Sequence, residues 1–367
     1  MKKRVEDAAL QKRVTLQSLA QHLGLSTTTV SVVVNDAPAA QGIPRKTRDR
    51  ILEAAKTLQY RPNYMARSLR GTRSMSVGIL APETSEGYLT LVMYGVEQHL
   101  LNAHYLYYKA SHHYQQALVD EYARMLVERA VDGLLLINTP MPRDIQVPVV
   151  SIAGDDHLPG LTHIMLDHHH AAVLALSHLR DLGHTRIAFM RGQSFNSDSE
   201  PRWNSIVTAA RELGMEIDPR LIVQLDMNTW SPCMGYGPVR EFVHRTRDFT
   251  ALLCFNDLAA MGAIRALHDA GIHVPEEVSV IGFDDITGAA YGIPSLTTVR
   301  QPLEEMGRLA AATLLERIKN PDRELRSEIT LQPSLVLRES TAARHAPPPF
   351  AAGQNYYGAA KDDHATP

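Results

Sequence analysis

The sequence predicts an all-α helical head followed by a two-lobed α/β body built from parallel sheets with helices on both faces. First, apolar residues recur with helical spacing across residues 15–58. Second, short apolar runs alternate with helix-like stretches from residue 77 onward, a pattern typical of parallel sheets covered by helices. Third, a body of about 270 residues exceeds one ordinary sheet domain, so two lobes with a cleft between them are expected.

Length and composition exclude several protein classes. With 367 residues, of which 44% are hydrophobic, the chain can bury several domain cores. Its two cysteines are too few for a disulfide framework, and the basic N-terminus turns acidic instead of entering the apolar stretch of a signal peptide. No apolar run approaches the roughly 20 residues that span a bilayer. We therefore expect a cytoplasmic protein that does not enter the membrane.

The net charge of −3 hides a strong asymmetry along the chain. Residues 1–73 contain fourteen Lys and Arg against five Asp and Glu, a balance of +9, and the remaining residues contain 23 against 35, a balance of −12. A cationic head of this kind favours a polyanion as partner. On charge alone, a merely solvated terminus is the alternative.

Two short helices separated by a glycine turn are predicted at the start of the head. Thr15 can cap a helix with apolar residues at positions 16, 19, 20 and 23, and Gly24 ends it. Ser26 can cap a second helix that runs toward Asn35. A helix, a short glycine-containing turn and a second helix form the signature of a helix-turn-helix motif.

The second helix is predicted against its local propensity. Most residues from 27 to 34 are β-branched and by themselves favour a strand. We predict a helix because the preceding helix and turn set the context, and because Val30, Val33 and Val34 can share one buried face. A third helix is predicted over residues 47–58, with positions 51, 52, 55 and 58 directed inward.

The body is predicted from alternating strands and helices. Strands are predicted at residues 77–80, 105–108, 133–137, 149–152, 187–190, 221–225, 251–255 and 278–283. Helices are predicted at residues 89–102, 114–128, 169–182, 201–213 and 257–270. The short polar link before the body is expected to order on binding, and the Pro-, Ala- and Gly-rich residues 343–367 are expected to be disordered.

Motifs spread through the chain resemble one protein family. In the head and link they are Ser26–Ser31, Asn35, Thr47-Arg48, Tyr60–Asn63 and Ala66–Leu69. In the body they are Val131–Leu134, Leu182–His184, Phe255–Asp257, Val274-Pro275, Ile281–Asp285, Pro294–Val299 and Leu337–Thr341. In this order and spacing, the chain is similar to the lactose/galactose repressor family (LacI/GalR).

The resemblance implies a domain organisation. Residues 1–60 correspond to a helix-turn-helix DNA-binding domain, 61–73 to a hinge helix, and 74–342 to an effector-binding and dimerisation domain. The latter is similar to periplasmic binding proteins. One of its lobes corresponds to residues 75–166 with 302–330, and the other to residues 167–301 with 331–342.

The resemblance also implies a function. Family members are dimeric, effector-controlled transcription regulators, most often repressors, so a homodimer on a pseudopalindromic double-stranded DNA operator is expected. Side chains near the N-terminus of the second helix read base edges, and by position these candidates are Thr27, Thr28 and Ser31. The residues that correspond to phosphate-contacting and positioning residues are Ser26, Thr29 and Asn35.

Two departures from the family pattern lie in the head. Val32 stands where an arginine is common, which removes a guanidinium that could pair with guanine. The loop from Asn35 to Thr47 is longer than is common in the family. We therefore expect an unusual operator.

The link corresponds to the family's hinge helix, which forms on DNA and inserts a leucine between base steps of the minor groove. The matching residues here are Asn63, Ala66, Arg67 and Leu69. Leu69 is the expected wedge.

For the body, the resemblance implies a small-molecule site between the lobes. Arg202, Asn256 and Asp284 align with polar ligand contacts, and such directional groups suit a hydroxyl-rich molecule. Trp230 and Tyr88 are candidate aromatic contacts, with core packing as the alternative for Trp230. The loop before Tyr88 lacks the paired aromatics frequent in sugar-binding members. A sugar or sugar derivative is the expected effector, with other polar ligands left open.

Adjacent histidines occur at 112–113 and 168–170. Consecutive side chains on a helix or strand point in different directions, so no metal site is expected. His168 falls where the family's chain crosses between lobes and is a further candidate for the effector pocket.

The sequence lacks the motifs of common enzymes on parallel sheets. It contains no dinucleotide fingerprint, no phosphate-binding loop and no nucleophile elbow. We therefore expect neither enzyme activity nor a cofactor. A solute-binding protein or a sensor without specific DNA recognition is the alternative function, and the basic helical head argues against it.

Overall fold

The computed structural model describes residues 14–35, 37–60, 73–83, 87–153, 161–226 and 231–344. The chain divides into two compact units, residues 1–76 with 130–132 and residues 77–129 with 133–367. Residues 61–72 of the predicted hinge at 61–73, Trp230 and the tail from residue 345 lie outside the described residues. No described helix is long and apolar enough to span a membrane.

The head contains three helices, α1 Leu16–Leu23, α2 Thr27–Val34 and α3 Arg45–Thr57. The side chains and backbone N–H groups of Thr15 and Ser18 bond reciprocally as a capping box, and α1 ends where Gly24 takes a φ of 65°. The Ser26 hydroxyl accepts from the backbone N–H of Thr29 at 3.0 Å and so caps α2. The predicted helix-turn-helix is confirmed.

The core of the head overrides the strand propensity of α2. Val30 and Val33 are buried and pack with Leu19 of α1 and Ile51 of α3. Helical spacing brings the two valines to one face, and their burial outweighs the small cost of β-branched residues in a helix. Leu52, which the helical pattern directed inward, is instead 51% exposed.

The long loop between α2 and α3 contains regular structure. Residues Pro38–Gly42 form a 3-10 turn that buries Ala40. The extra residues therefore pack on the head, and α3 begins directly after Pro44.

The first lobe is built on a six-stranded sheet. Its strands are β1 Ser76–Ala81, β2 Leu106–Ser111, β3 Leu134–Ile137, β4 Val149–Ile152, β5 Thr162–Leu166 and β11 Glu328–Leu331. Their order is β11-β5-β4-β3-β1-β2, and the pairs from β11 to β1 are parallel. The helices of this lobe are α4 Tyr88–Asn102, α5 Gln116–Glu128 and α10 Leu303–Lys319. Every residue of β1, β3 and β4 is buried, as expected of parallel strands covered on both faces.

The second lobe repeats this architecture. Its strands are β6 Ile187–Arg191, β7 Ile222–Gln224, β8 Ala251–Leu253, β9 Ser279–Asp284, β10 Thr297–Arg300 and β12 Ser334–Val336. Their order is β12-β10-β9-β8-β6-β7, with β12 antiparallel to β10 and the other pairs parallel. Its helices are α6 His168–Asp181, α7 Ser199–Glu212, α8 Cys233–Arg245 and α9 Asp257–Asp269. Leu252 belongs to the core on one face of the sheet, and Ala251 and Leu253 to the core on the other.

Within the described residues, the chain crosses between the two sheets three times. It passes from β5 to α6 at Asp167, from β10 to α10 at Gln301-Pro302, and from β11 to β12 at Gln332-Pro333. Such short connections let two lobes move as bodies about a few residues. The two parallel sheets confirm the predicted α/β fold class.

Six elements were missing from the sequence prediction, namely β5, β10, β11, β12, α8 and α10. The strands β5 and β10 contain Thr162, His163, Thr297 and Thr298, all of them buried. These polar side chains break the apolar run that marks a parallel strand, and their burial depends on partners distant in sequence. The Thr298 hydroxyl, for example, donates to Asp257 at 2.6 Å.

The closest helix packing in the first lobe depends on two glycines. A Cβ added at Gly95 of α4 would lie 1.9 Å from the carbonyl oxygen of Glu304, and one added at Gly307 of α10 would lie 2.0 Å from that of Val92. Both contacts are with backbone, which cannot rotate away. The absence of side chains here therefore sets the distance between α4 and α10.

We expect Gly95→Ala to destabilise the protein by at least about 2 kcal/mol, because overpacking forces the two helices apart. Urea unfolding measures the change. Gln98→Ala, at an exposed position of the same helix, should stay within about 0.5 kcal/mol of the wild type. Equal stability of both variants would contradict the close packing.

Candidate functional site

A cleft in the body collects polar side chains that follow strands of both sheets. Glu83 lies after β1 and Asn138 after β3 in the first lobe, whereas Asn256 follows β8 and Asp284 ends β9 in the second. The cleft is also lined by Tyr88, Tyr114, Asp198 and Arg202. The carboxyl ends of parallel strands meet at one edge of a sheet, which is where open α/β sheets bind ligands.

Arg202 is the central cation of the cleft and is only 5% exposed. Its guanidinium carbon lies 3.8 Å from the ring centroid of Phe283 and 4.5 Å from that of Phe255. Its Nη1 donates to the carbonyl oxygen of Phe255 at 2.5 Å, and its Nη2 lies 3.4 Å from Asp198 Oδ2. Nε has no hydrogen-bond partner among the described residues, so one buried donor is left for a ligand.

Asp198 connects Arg202 with His168. Its Oδ1 lies 3.4 Å from Nε2 of His168. Burial raises the pKa of Asp198, but the hydrogen bond from His168 and the charges of His168 and Arg202 outweigh this effect and lower the pKa overall. His168 is the first residue of α6, directly after a crossing between sheets. It contacts Asp198 but is not part of the cleft lining.

Asp284 connects the cleft with a crossing between the lobes. Gln301, which lies in the crossing from β10 to α10, donates from Nε2 to Asp284 Oδ1 at 2.6 Å. Burial raises the pKa of Asp284 to about 7, against the lowering effects of the Arg202 charge and the Gln301 hydrogen bond. Its φ of 116° lies in the region that favours glycine, so the backbone is strained at this position.

The first lobe contributes a carboxyl group and unpaired polar atoms. Burial raises the pKa of Glu83 to about 7, by more than the charge of Lys109 lowers it. The hydroxyl of Tyr88 and Oδ1 of Asn138 are buried and have no hydrogen-bond partner among the described residues. Buried polar groups are nearly always paired, so these atoms indicate a place for a polar ligand.

Four of the six predicted effector-site residues line this one cleft, namely Tyr88, Arg202, Asn256 and Asp284. Oδ1 of Asn256 accepts from the backbone N–H of Ala259 at 2.8 Å and caps α9, which leaves its amide nitrogen for a ligand. His168 lies one contact away, through Asp198. Trp230 lies outside the described residues.

Sequence reasoning missed several residues of the cleft, among them Asp198, Glu83 and Asn138. Asp198 lies four residues before Arg202, a spacing that places the two on one face of a helix. Glu83 and Asn138 each follow a buried apolar run of the first lobe. A polar residue directly after a predicted strand was therefore a sequence signal for Glu83 and Asn138. Only the fold, however, shows which strand ends lie at the same edge of a sheet.

The start of α2 presents a polar surface. Thr27 and Thr28 are exposed, as reading of base edges requires. Ser26 and Thr29 bond to each other through their hydroxyl groups at 2.8 Å and form the cap of the helix.

Ser31 differs from the prediction. This candidate base reader is only 6% exposed, because it lies on the inner side of α2 next to Val30. Asn35 donates from Nδ2 to the carbonyl oxygen of Ser31 at 2.8 Å and to its hydroxyl at 3.2 Å. A buried serine offers no surface to a base, so the base-reading prediction for Ser31 is corrected to a structural role at the end of α2.

The adjacent histidines on α6 have separate partners. His168 contacts Asp198, whereas His169 lies 3.1 Å from Glu212. Within the part of the chain that the structure describes, no group of His, Cys, Asp or Glu could hold a metal ion.

The body has the architecture of a two-lobed ligand-binding protein, and the head has that of a helix-turn-helix DNA-binding domain. Together they define a ligand-responsive DNA-binding regulator. A model of the lacI family of bacterial regulatory proteins matches residues 15–63, and a model of a periplasmic binding protein-like domain matches residues 176–341.

Known proteins resemble the chain along most of its length. The HTH-type transcriptional repressor PurR of Aliivibrio fischeri (strain MJ11) is 32% identical over 338 residues, which cover 90% of this chain and 99% of that protein. The structure of the lac repressor dimer bound to operator and the anti-inducer ONPF superposes with a TM-score of 0.80 at 24% identity, covering 90% of this chain and 100% of that one. The structure of the transcriptional regulator CelR in complex with cellobiose superposes with a TM-score of 0.65 at 28% identity. The match covers 89% of this chain and 100% of that one.

The chain belongs to the lacI family of bacterial regulatory proteins. It is a DNA-binding transcriptional regulator with an effector-binding body, and not an enzyme.

We expect Asp284→Asn to stabilise the protein above pH 7. The pKa of Asp284 is raised from 3.8 to about 7. Its protonated carboxyl group therefore makes its full contribution to the free energy of unfolding below pH 3.8, and this contribution is lost as the pH rises through 7. The neutral amide avoids this loss and still accepts the bond from Gln301. Urea unfolding at a series of pH values should therefore show a gain that disappears toward pH 3.8.

Glu305→Gln is a control that should change the stability in the opposite direction from Asp284→Asn. Arg308 holds the pKa of Glu305 below its ordinary value, so this change should lower stability at neutral pH. A pH-independent effect of Asp284→Asn would contradict the raised pKa.

Proposed function

We propose that the protein is a repressor whose affinity for a pseudopalindromic operator is controlled by a small hydroxylated effector, a sugar or sugar derivative, bound in the cleft. One observation carries the proposal. The same chain has a helix-turn-helix with exposed threonines at the start of its second helix and a polar cleft lined by Arg202, Asn256 and Asp284. Because the target is DNA, we place the protein in the cytoplasm.

Charge and exposure support DNA as the partner of the head. Thr27 and Thr28 are available for base edges, and Ser26 and Thr29 for positioning the helix against phosphates. By the family resemblance, Asn63, Ala66, Arg67 and Leu69 form a hinge helix on DNA, with Leu69 inserted between base steps. These four residues lie outside the described part of the chain.

The polar groups of the cleft support a hydroxyl-rich effector. Arg202 retains a free Nε donor, Asn256 its amide nitrogen, and Asn138 an unpaired oxygen. Each group is directional and can meet a different hydroxyl. The related CelR structure contains cellobiose, which agrees with this class of ligand.

Control of DNA binding is proposed to pass through the crossings between the lobes. A ligand that bonds to Asp284 changes the partner of Gln301, which lies in one crossing, and His168 at a second crossing contacts Asp198 of the cleft. A ligand that prefers one arrangement of the lobes shifts the population toward it. Operator affinity changes by the same free energy that couples the two sites.

A homodimer is proposed from two groups of exposed apolar side chains on the body. The first group lies at the end of α4 and along the edge strand β2, and consists of Leu101, Leu106, Tyr107 and Tyr108. The second lies in the other lobe and consists of Tyr291 and Ile293, beside a groove lined by Met261 and Ile264. Exposed apolar patches and open sheet edges mark interfaces, and a two-fold dimer matches a pseudopalindrome.

Selection of bound sequences from random duplex DNA tests the proposal with the full-length protein. We expect a pseudopalindrome with a deformable central step, read out by sequencing. Thr28→Ala should relax the base preference at one position of each half-site and weaken the free energy of operator binding by about 1–3 kcal/mol. Ser31→Ala should keep the base preference of the wild type. No enrichment, either with the protein alone or with an added metabolite extract, would reject sequence-specific recognition.

A second prediction concerns the hinge. Leu69→Ala should abolish specific operator binding while effector binding survives, because the wedge that kinks the DNA is lost. Leu69→Met preserves an apolar wedge and should retain most of the affinity. Unchanged operator affinity of Leu69→Ala in a titration would refute the role of Leu69.

A further inference from the structure

The cleft contains more negative than positive groups. Among the described residues, three carboxyl groups line it, those of Glu83, Asp198 and Asp284, against one guanidinium, that of Arg202. Asp198 and Arg202 lie 3.4 Å apart and neutralise each other. Neither Glu83 nor Asp284 forms an ion pair with another described residue. Glu83 and Asp284 are therefore the two acidic groups of the cleft without an ion-pair partner in the part of the chain that the structure describes.

Two cations lie close to these carboxyl groups without forming an ion pair with them, and Lys109 Nζ donates to the backbone carbonyl oxygen of Glu83 at 3.4 Å. Lys109 is the basic group that faces Glu83, but burial affects the pKa of Glu83 more strongly than Lys109 does, and the result is a pKa of about 7. Arg202 faces Asp284, whose pKa is likewise raised to about 7 by burial. A carboxyl group that is wholly or partly withdrawn from water is stabilised in its charged form by a cation that enters with a ligand.

The remaining cleft atoms are suited to a ligand that donates hydrogen bonds. Oδ1 of Asn138, an acceptor, and the Tyr88 hydroxyl are buried and have no hydrogen-bond partner among the described residues. Tyr88 and Tyr114 add aromatic rings, whose faces attract cations. Nε of Arg202 and the amide nitrogen of Asn256 are exceptions, because each requires an acceptor such as a hydroxyl oxygen.

We propose that the effector is an amino sugar whose protonated amine is neutralised by Glu83 and Asp284, while its hydroxyl groups bond to Tyr88, Asn138 and Arg202. This inference rests on the proposed function, since it names the ligand class of the same cleft. Sugar acids and sugar phosphates are disfavoured, because a negative group would face the buried carboxyl group of Asp284 and the half-buried one of Glu83.

The amine distinguishes this ligand from a neutral sugar. A site whose buried groups require a donor rejects an analogue that lacks it, because those groups are left unpaired. N-acetylation removes the positive charge at the same carbon, and the parent hexose replaces the amine by a hydroxyl. Comparison of the three forms isolates the contribution of the charge.

The experiment measures binding of D-glucosamine, D-galactosamine and D-mannosamine, each beside its parent hexose and its N-acetyl form, to the full-length protein at neutral pH. Thermal unfolding detects binding, and titration calorimetry gives the affinity. We expect at least one free amine to raise the unfolding midpoint, and its parent and N-acetyl forms to bind at least about tenfold more weakly.

Two variants and a matched control locate the charge. Glu83→Gln and Asp284→Asn should each weaken binding of the amine by about tenfold or more and reduce the preference over the N-acetyl form. Glu128→Gln removes an exposed carboxyl group on α5, outside the cleft, and should bind like the wild type. Thermal unfolding of each variant without ligand confirms that it is folded.

The inference is overturned if no hexosamine binds, if neutral forms bind as tightly as the amine, or if amine binding survives both substitutions. Operator binding, measured in parallel, separates this inference from the proposed function. A hexosamine that binds through Glu83 and Asp284 but leaves operator affinity unchanged supports the ligand class and contradicts effector control.

Discussion

The body depends on one buried cation. The guanidinium of Arg202 lies between the rings of Phe255 and Phe283, donates to the backbone after β8, and is neutralised by Asp198. It thus joins α7 to the ends of β8 and β9, the two strands that carry the cleft side of the second lobe. Removing one partner from a buried ion pair costs about 3–5 kcal/mol, because the other charge is left uncompensated. The contacts of the Arg202 guanidinium therefore fix the positions of the residues that line the second-lobe side of the cleft.

The same cleft contains groups that reduce stability. Asp284 combines a positive φ with a buried carboxyl group, and Glu83 is a half-buried acid that forms no ion pair with another described residue. Strain and unpaired polar groups of this kind concentrate at functional sites, where a ligand relieves them. Asp284 also accepts a hydrogen bond from Gln301, which lies in a crossing between the lobes. A ligand that relieves the strain at Asp284 can therefore also change how the two lobes are arranged.

In the head, tertiary packing and recognition compete for the same short helix. Val30 and Ser31 are used to build the interior, whereas Thr27 and Thr28 remain exposed near the cap formed by Ser26. The surface of α2 available to DNA is therefore narrower than its polar sequence indicates. Val32 stands where the family commonly has arginine, so α2 also lacks a guanidinium that could donate hydrogen bonds to a base.

The sequence by itself determined the helix-turn-helix and the alternation that produces two parallel sheets, because helical spacing, caps and apolar runs are local features. Its motifs led to four cleft residues only through the family resemblance. Tertiary structure decided the rest. Whether Leu52 or Ser31 is buried depends on how three helices meet, and whether Thr298 sits in a strand depends on Asp257, 41 residues away. Glu83, Asn138 and Asp198 became part of one cleft only when strand ends from two sheets met, since long-range pairing, not local periodicity, brings them together.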